Sequence, residues 1–264
     1  MGFHVLKTRP FLIRIPLLVG LPLFLVANVL SGCTDSDSVD TGVSATYETR
    51  VDPVTEESAR FYMGRQIADL PLSEHSVVVL DRPGRDTEEL PSRLVRAMQL
   101  RSTSVVADVG AGTGFFTFRL AEAVPSGRVL AIDVQPAMLD TIRVRMQRDG
   151  IRNITPILGQ PDNPNLAPES VDVALIAASY HEFSHPKEMI EHLAAALRPG
   201  GRLILVEYRA EDSTVPVQFL HKMSVEQIRR EVEVSGLKFR ELKDVLPQQH
   251  VVVFQKPVVA EEMD

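Results

Sequence analysis

Seven residues, Asp108-Val109-Gly110-Ala111-Gly112-Thr113-Gly114, constrain the fold of this chain more than any others. They stand where an apolar run from Ser104 to Val109 gives way to a helical pattern from Phe115 to Val124. A strand that stops at three alternating glycines and re-enters as a helix leaves a ligand free to lie against bare backbone N–H groups at a helix N-terminus. The segment therefore predicts both the first crossover of an α/β sheet and a cofactor cradle.

The rest of the chain supplies the sheet. Arg128–Asp133 leads into a helix that opens at Pro136 and closes at Gly150, and 153–158 forms a third strand. Val171–Ala177 precedes a helix over 186–198, and Pro199-Gly200-Gly201 turns into a strand over 202–208. Such alternation demands a doubly wound, mostly parallel sheet covered on both faces. A helix over 224–235 follows, then strands over 237–244 and 250–255 joined only by Val245 to Gln249. So short a link makes that pair antiparallel. The expected fold class is α/β, a seven-stranded sheet finished by an antiparallel C-terminal hairpin.

The N-terminal third reads differently. Lys7, Arg9 and Arg14 precede an apolar run from Ile15 to Leu30, which Pro16 and Pro22 interrupt, and Leu30-Ser31-Gly32-Cys33 follows. A basic start, an apolar middle and small residues before a cut describe a secretory signal rather than a spanning helix. Leu-Ser-Gly-Cys resembles the bacterial lipobox, which implies cleavage before Cys33, lipidation of its sulfur and anchoring in a membrane outside the cytoplasm. Cys33 is the single cysteine of the chain, so no internal disulfide forms. Removing residues 1–32 takes three of the 28 basic residues and none of the 35 acidic ones, moving the net charge from −7 to −10. A body this acidic is a poor partner for a phosphate backbone, so no nucleic-acid substrate is expected.

The domain reading is a signal peptide over 1–32, a solvated tether over 33–58, a helical cap over 59–100, the main domain over 101–257 and a tail over 258–264. Pro91 opens the last helix of that cap. Arg82, Arg85, Glu88 and Glu89 cluster just before it, as local salt bridges more readily than as active-site groups.

Asp133 ends the second strand, 23 residues beyond Gly110, where a carboxylate can accept both hydroxyls of a ribose bound across the glycine turn. With this, the segment over 100–256 resembles the class I S-adenosylmethionine-dependent methyltransferases. Asp-Val-Gly-Ala-Gly-Thr-Gly is similar to their first motif, Ala-Ile-Asp133 to their second-strand acidic motif, and Leu197-Arg198-Pro199-Gly200-Gly201-Arg202-Leu203 to the turn into strand five. The resemblance implies S-adenosylmethionine as cofactor. The turn Gly110, Ala111, Gly112 and Gly114 would hold its methionine part, Asp133 the ribose, Val134 the adenine face, and Asp108 the amino group, directly or through water. Asp162 would meet the adenine amine, with Gln160 as the alternative register.

For the acceptor, the loop Ala178-Ser179-Tyr180-His181-Glu182-Phe183 lies at the same carboxyl edge and is similar to that of quinone-biosynthesis methyltransferases. It lacks the Asn/Asp-Pro-Pro-Tyr of amine methylation. His181 is the candidate general base, with Tyr208, His221 and Lys222 as groups that could touch a small or lipidic acceptor. No metal is expected, because His185 and His192 do not share a helix face and no cysteine assists. The alternatives are a non-catalytic nucleoside-binding module and a nicotinamide-dependent oxidoreductase, the latter disfavoured by the glycine spacing and the terminal hairpin.

Overall fold

The computed structural model describes residues 45–68 and 80–258. The signal, Cys33 and most of the tether therefore lie outside the described residues.

Three short strands come first: β1 (Tyr47–Val51), β2 (Ser58–Tyr62) and β3 (Arg65–Gln66) form an antiparallel meander. This corrects the sequence reading, which put 47–58 in an unstructured tether and 59 onward in a helical cap. β1 is mostly exposed, so no apolar stripe marks it, and the short alternation of β2, which ends in the buried Tyr62, was read as helix. Helices α1 (Arg85–Glu89) and α2 (Pro91–Ala97) follow, the latter with Pro91 in its first turn.

The main sheet contains β4 (Val105–Val109), β5 (Arg128–Asp133), β6 (Ile154–Leu158), β7 (Val171–Ala177), β8 (Leu197–Arg209), the two-residue β9 (Lys222–Met223), β10 (Lys238–Lys243) and β11 (Gln249–Gln255). Its order is β10-β11-β8-β7-β4-β5-β6, with β9 paired to β8 off this path. The strands from β8 to β6 run parallel, whereas β11 is antiparallel to both β8 and β10. The seven-stranded core and terminal hairpin are as the pattern demands, and β9 is an eighth strand too short to be read from periodicity.

Helices α3 (Thr117–Ala123), α4 (Pro136–Asp149), α5 (Pro186–Ala196) and α6 (Val225–Glu233) cover the two faces. Successive strand residues point to opposite sides. Val106, Val173, Leu175, Ile204 and Val206 pack under α3 and α4, with Leu120 and Ile142, while Ala107, Ala174, Ile176, Leu203 and Leu205 pack under α5 and α6, with Leu193 and Val232. Two buried faces explain why β4, β7 and β8 are nearly continuous apolar runs. Ser224 caps α6 by accepting the N–H of Gln227 at 3.1 Å. Among the described residues no helix is long and apolar enough to cross a membrane.

The chain leaves β4 toward β5 on one side and returns as β7 on the other. This is the topological switch point, and a crevice opens there at the carboxyl ends of the strands.

Candidate functional site

At that crevice lies a cavity of about 1190 Å³, lined on the sheet side by Gly110, Ala111, Gly112, Asp133, Val134 and Ser179. Two glycines hold the turn open in different ways. Gly110 has φ +76°, and a Cβ there would stand 2.6 Å from Ser179 Oγ, so the loops after β4 and β7 touch only because the side chain is absent. Gly114 has φ +91°, and its Cβ would meet the Phe118 ring at 2.6 Å and Ile142 at 3.2 Å. Gly114 therefore serves the packing of α3 against α4 and, unlike Gly110 to Thr113, does not line the cavity.

The turn's amides are largely spoken for. Gly110 and Ala111 both donate to the carbonyl of Ile132 at 2.9 Å, and Gly114 donates to Ala111 at 2.9 Å. The N–H of Gly112 goes to Asp133 Oδ2 at 2.8 Å, and Asp133 Oδ1 accepts the N–H of Gln135 at 2.9 Å. The cradle thus works by absent side chains and a fixed carboxylate more than by free backbone donors, which corrects the first expectation drawn from the glycines. Burial raises the Asp133 carboxyl above its usual range against these hydrogen bonds.

Other predicted residues fall where the sequence did not place them. Asp108 is buried beneath the turn rather than in the cavity wall, and its Oδ2 accepts Thr117 Oγ1 at 2.6 Å. Burial pushes its carboxyl up to about 6, Thr117 pulls it back, and Asp133 adds repulsion. Gln160 and Pro161 line the cavity and Asp162 does not. Val134 sits at the rim with 36% of its surface exposed, an apolar face at the tip of β5.

Tyr208 points to the α1 face, within reach of Arg82 and Glu89, and does not line the cavity. The neighbouring Glu207, which the sequence reading passed over, faces the other way and is completely buried. Its Oε2 holds His181 Nδ1 at 2.7 Å, and its Oε1 accepts the His181 N–H at 3.3 Å. A carboxylate closing the apolar run Leu203 to Val206 needs such a partner, and that was the available signal. Burial disfavours charge on the His181 ring, but Glu207 and Glu182 outweigh it and push its pKa up to about 9. Glu182 Oε1 lies 3.6 Å from His181 Nε2 and 3.7 Å from His221 Nδ1, and the two imidazoles meet edge to face at 5.0 Å.

Lys222 Nζ is spent on the carbonyls of Asp212 and Val215 at 3.1 and 2.7 Å. His185 and His192 do not join the cluster: His185 Nδ1 lies 3.0 Å from Ser184 Oγ and His192 Nδ1 lies 2.8 Å from the Glu188 carbonyl.

The opposite wall of the cavity is the meander, with Arg50, Ala59, Phe61 and Gln66, together with Arg85 from α1. Arg85 pairs with Glu89 at 2.7 Å and stacks on Phe115 at 3.8 Å, while Arg82 pairs with Glu88 at 2.6 Å. The expected local salt bridges are there, and Arg85 also reaches the cavity. Arg65 fastens the meander to the domain, with a bidentate pair to Glu231 at 2.7 and 2.8 Å and a bond to the His181 carbonyl at 3.1 Å.

Comparison with known proteins decides what this architecture is. Residues 106–201 match the methyltransferase domain family. Over those residues the chain is similar to a methyltransferase domain. An uncharacterized methyltransferase-like protein of Schizosaccharomyces pombe is 36% identical over 114 residues, 43% of this chain and 41% of that protein. An uncharacterized methyltransferase of Mycobacterium tuberculosis is 35% identical over 138 residues, 52% of this chain and 53% of that protein. The chain thus spans about half the length of the curated relatives it matches. The fold of the methyltransferase domain is also that of a SAM-dependent methyltransferase from Aquifex aeolicus, at TM-score 0.66 and 23% identity over 70% of this chain and 99% of that one.

Proposed function

We propose that this protein transfers a methyl group from S-adenosylmethionine to a small-molecule or lipidic acceptor, from a position outside the cytoplasm where a lipid on Cys33 anchors it. The observation that carries the reading is one cavity lined by both the glycine turn and the β1–β3 meander. The glycine turn, Asp133 and Val134 form one end, and the β1–β3 meander walls the other. About 1190 Å³ exceeds the usual range of roughly 300–1,000 Å³ for one drug-sized ligand, leaving room for donor and acceptor side by side.

The residues present fit the donor. Asp133 stands at the tip of β5 for the ribose hydroxyls, Val134 offers an apolar face to the adenine, Gln160 supplies an amide for its edge, and Gly110 to Gly112 admit the methionine part where a side chain would block it. When bound, that donor supplies an electrophilic methyl group on a sulfonium centre. The chain's own contribution is alignment and exclusion of water, the main requirements of an in-line displacement. Glu207 and Glu182 favour the protonated form of the His181 ring against its burial, which weighs against His181 as the free base. Asp108 acts from below, holding Thr117 so that α3 starts at the right place.

Lys7, Arg9, Arg14, the apolar run to Leu30 and the Leu-Ser-Gly-Cys33 sequence support export and anchoring. The acidic body disfavours nucleic acid as acceptor. Two measurements test the reading. Incubation with methyl-labelled donor and fractionated envelope lipids or small-molecule extracts should label a low-molecular-weight product, and labelling of nucleic acid alone would refute the acceptor class. Mass spectrometry of the native protein should find acyl mass on Cys33, and an intact Met1 terminus would overturn the anchor.

A further inference from the structure

The cluster at the edge of the cavity points to a second ligand. We propose that His181 Nε2, Glu182 and His221 Nδ1 form a binding site for a divalent first-row transition cation, a site the sequence spacing did not suggest. The inference does not depend on the methyl-transfer reading.

Geometry comes first. The three ligand atoms all lie within 4.8 Å of one another, and Glu182 Oε1 is 3.6 Å from His181 Nε2 and 3.7 Å from His221 Nδ1. Nitrogen and oxygen ligands about 2.0–2.1 Å from a tetrahedral ion stand roughly 3.3–3.5 Å apart, so each imidazole stands within a few tenths of an ångström of its coordinating distance from Glu182, and the two imidazole nitrogens lie within 4.8 Å of each other. Adjacent residues rarely converge, but His181 and Glu182 lie in a one-turn 3-10 helix, Tyr180–Glu182, which packs against a second one at Phe219–His221.

The second argument is the support behind the ring. A metal-ligating imidazole commonly donates its other N–H to a carboxylate, which fixes tautomer and orientation. Glu207, completely buried, does this at His181 Nδ1 and also takes the backbone N–H of the same residue. Arg65 and the amide of Ala68 hold the His181 carbonyl at 3.1 Å each. The ring is therefore held at Nδ1 and its backbone at both N–H and carbonyl, with Nε2 3.6 Å from Glu182 Oε1.

Charge and softness agree. Glu182 and Glu207 flank the His181 ring, while Arg65 pairs with Glu231 and Lys222 bonds the carbonyls of Asp212 and Val215. A dication would neutralise the two carboxylates while both imidazoles stay uncharged. Two imidazoles and one carboxylate suit zinc, iron or manganese, not magnesium or calcium. Glu182 also lines the cavity, which puts a cation held by it in the cavity wall.

The test uses the untagged full-length protein, stripped with a chelator and titrated with zinc chloride against a chromophoric competitor. One zinc per chain is expected, with His221→Ala and Glu182→Gln each weakening it at least tenfold and His192→Ala leaving it unchanged. Cobalt substituted for zinc should show the visible bands of a four-coordinate ion, lost in His221→Ala. His221 is partly exposed, so that variant should keep the wild-type melting temperature of the metal-free protein. Equal zinc uptake by wild type and His221→Ala, or loss of uptake in His192→Ala, overturns the proposal and leaves the cluster as a protonated histidine between two glutamates.

Discussion

Asp133 Oδ2 accepts the backbone N–H of Gly112 at 2.8 Å, closing the glycine turn onto the tip of the neighbouring strand. One carboxylate therefore holds the cradle's shape and faces the place proposed for the ribose. Asp133→Ala should weaken S-adenosylmethionine binding by about 1.5–3 kcal/mol, the worth of a hydrogen bond involving a charged group. Calorimetric titration at constant salt measures it, and an affinity equal to that of wild type would remove Asp133 from the donor site.

Gly110 offers a sharper steric test. An added Cβ meets Ser179 Oγ at 2.6 Å and Ser179 Cβ at 3.0 Å, at φ +76°, so Gly110→Ala combines strain with a clash. A loss of about 1–3 kcal/mol is expected, together with a large loss of donor binding. Adding Ser179→Gly removes the clash and leaves the strain, so the double variant should recover part of the melting temperature. If the double variant melts no higher than the single one, the close approach of the two loops is not what the glycine serves.

The parallel core was legible because its causes are local. Val173–Ala177 is an unbroken apolar run since both of its faces are covered, and Pro136 and Gly150 mark the ends of a helix wherever they stand around an amphipathic stretch. The meander was not legible. Tyr47–Val51 is mostly exposed, Ser58–Tyr62 alternates over too few residues to stand out from a helical reading, and β3 is tied down by Arg65 pairing with a glutamate 166 residues away. Asp133 followed from its position at a strand tip. Tyr208 failed on parity: Leu203, Leu205 and Glu207 share one face of β8, and Tyr208 belongs with Ile204 and Val206 on the other. Asp162 failed because a loop has no periodicity to fix its register, and Gln160 occupies the wall instead.

Asp108 should make stability depend on pH in an unusual direction. Its carboxyl is raised from 3.8 to about 6, chiefly by burial, against the hydrogen bond from Thr117. The folded state then holds the proton more tightly than the unfolded one, so this contribution is fully present below about pH 4 and is lost as the pH rises through about 6. Asp108→Asn keeps an acceptor for Thr117 and does not titrate, so it should gain on wild type between pH 4 and pH 7, by on the order of 2–3 kcal/mol. Melting temperatures across that window decide it, and parallel curves for the two proteins would show that the carboxyl titrates normally.

The pair between Arg65 and Glu231 carries the last prediction. Glu231 is completely buried, Arg65 nearly so, and Gln227 Nε2 donates to the same Glu231 oxygen at 2.8 Å. Removing one partner leaves an uncompensated charge in the interior, so Glu231→Ala should cost about 3–5 kcal/mol, while Arg65→Met with Glu231→Met should recover much of it. The damage should be uneven. Arg65 ties the meander to α6 and also holds the His181 carbonyl, so amide exchange should quicken in Ser58–Gln66 and around Tyr180–Glu182 before it changes in β4 or β7. Because the meander is the far wall of the cavity, the proposed acceptor end should loosen while the glycine turn and Asp133 keep their shape. The single variant should then lose methyl transfer more than it loses donor binding. If donor affinity falls as steeply as turnover, the two ends of the cavity are not held by separate contacts, and the meander's role as the acceptor wall fails with that result.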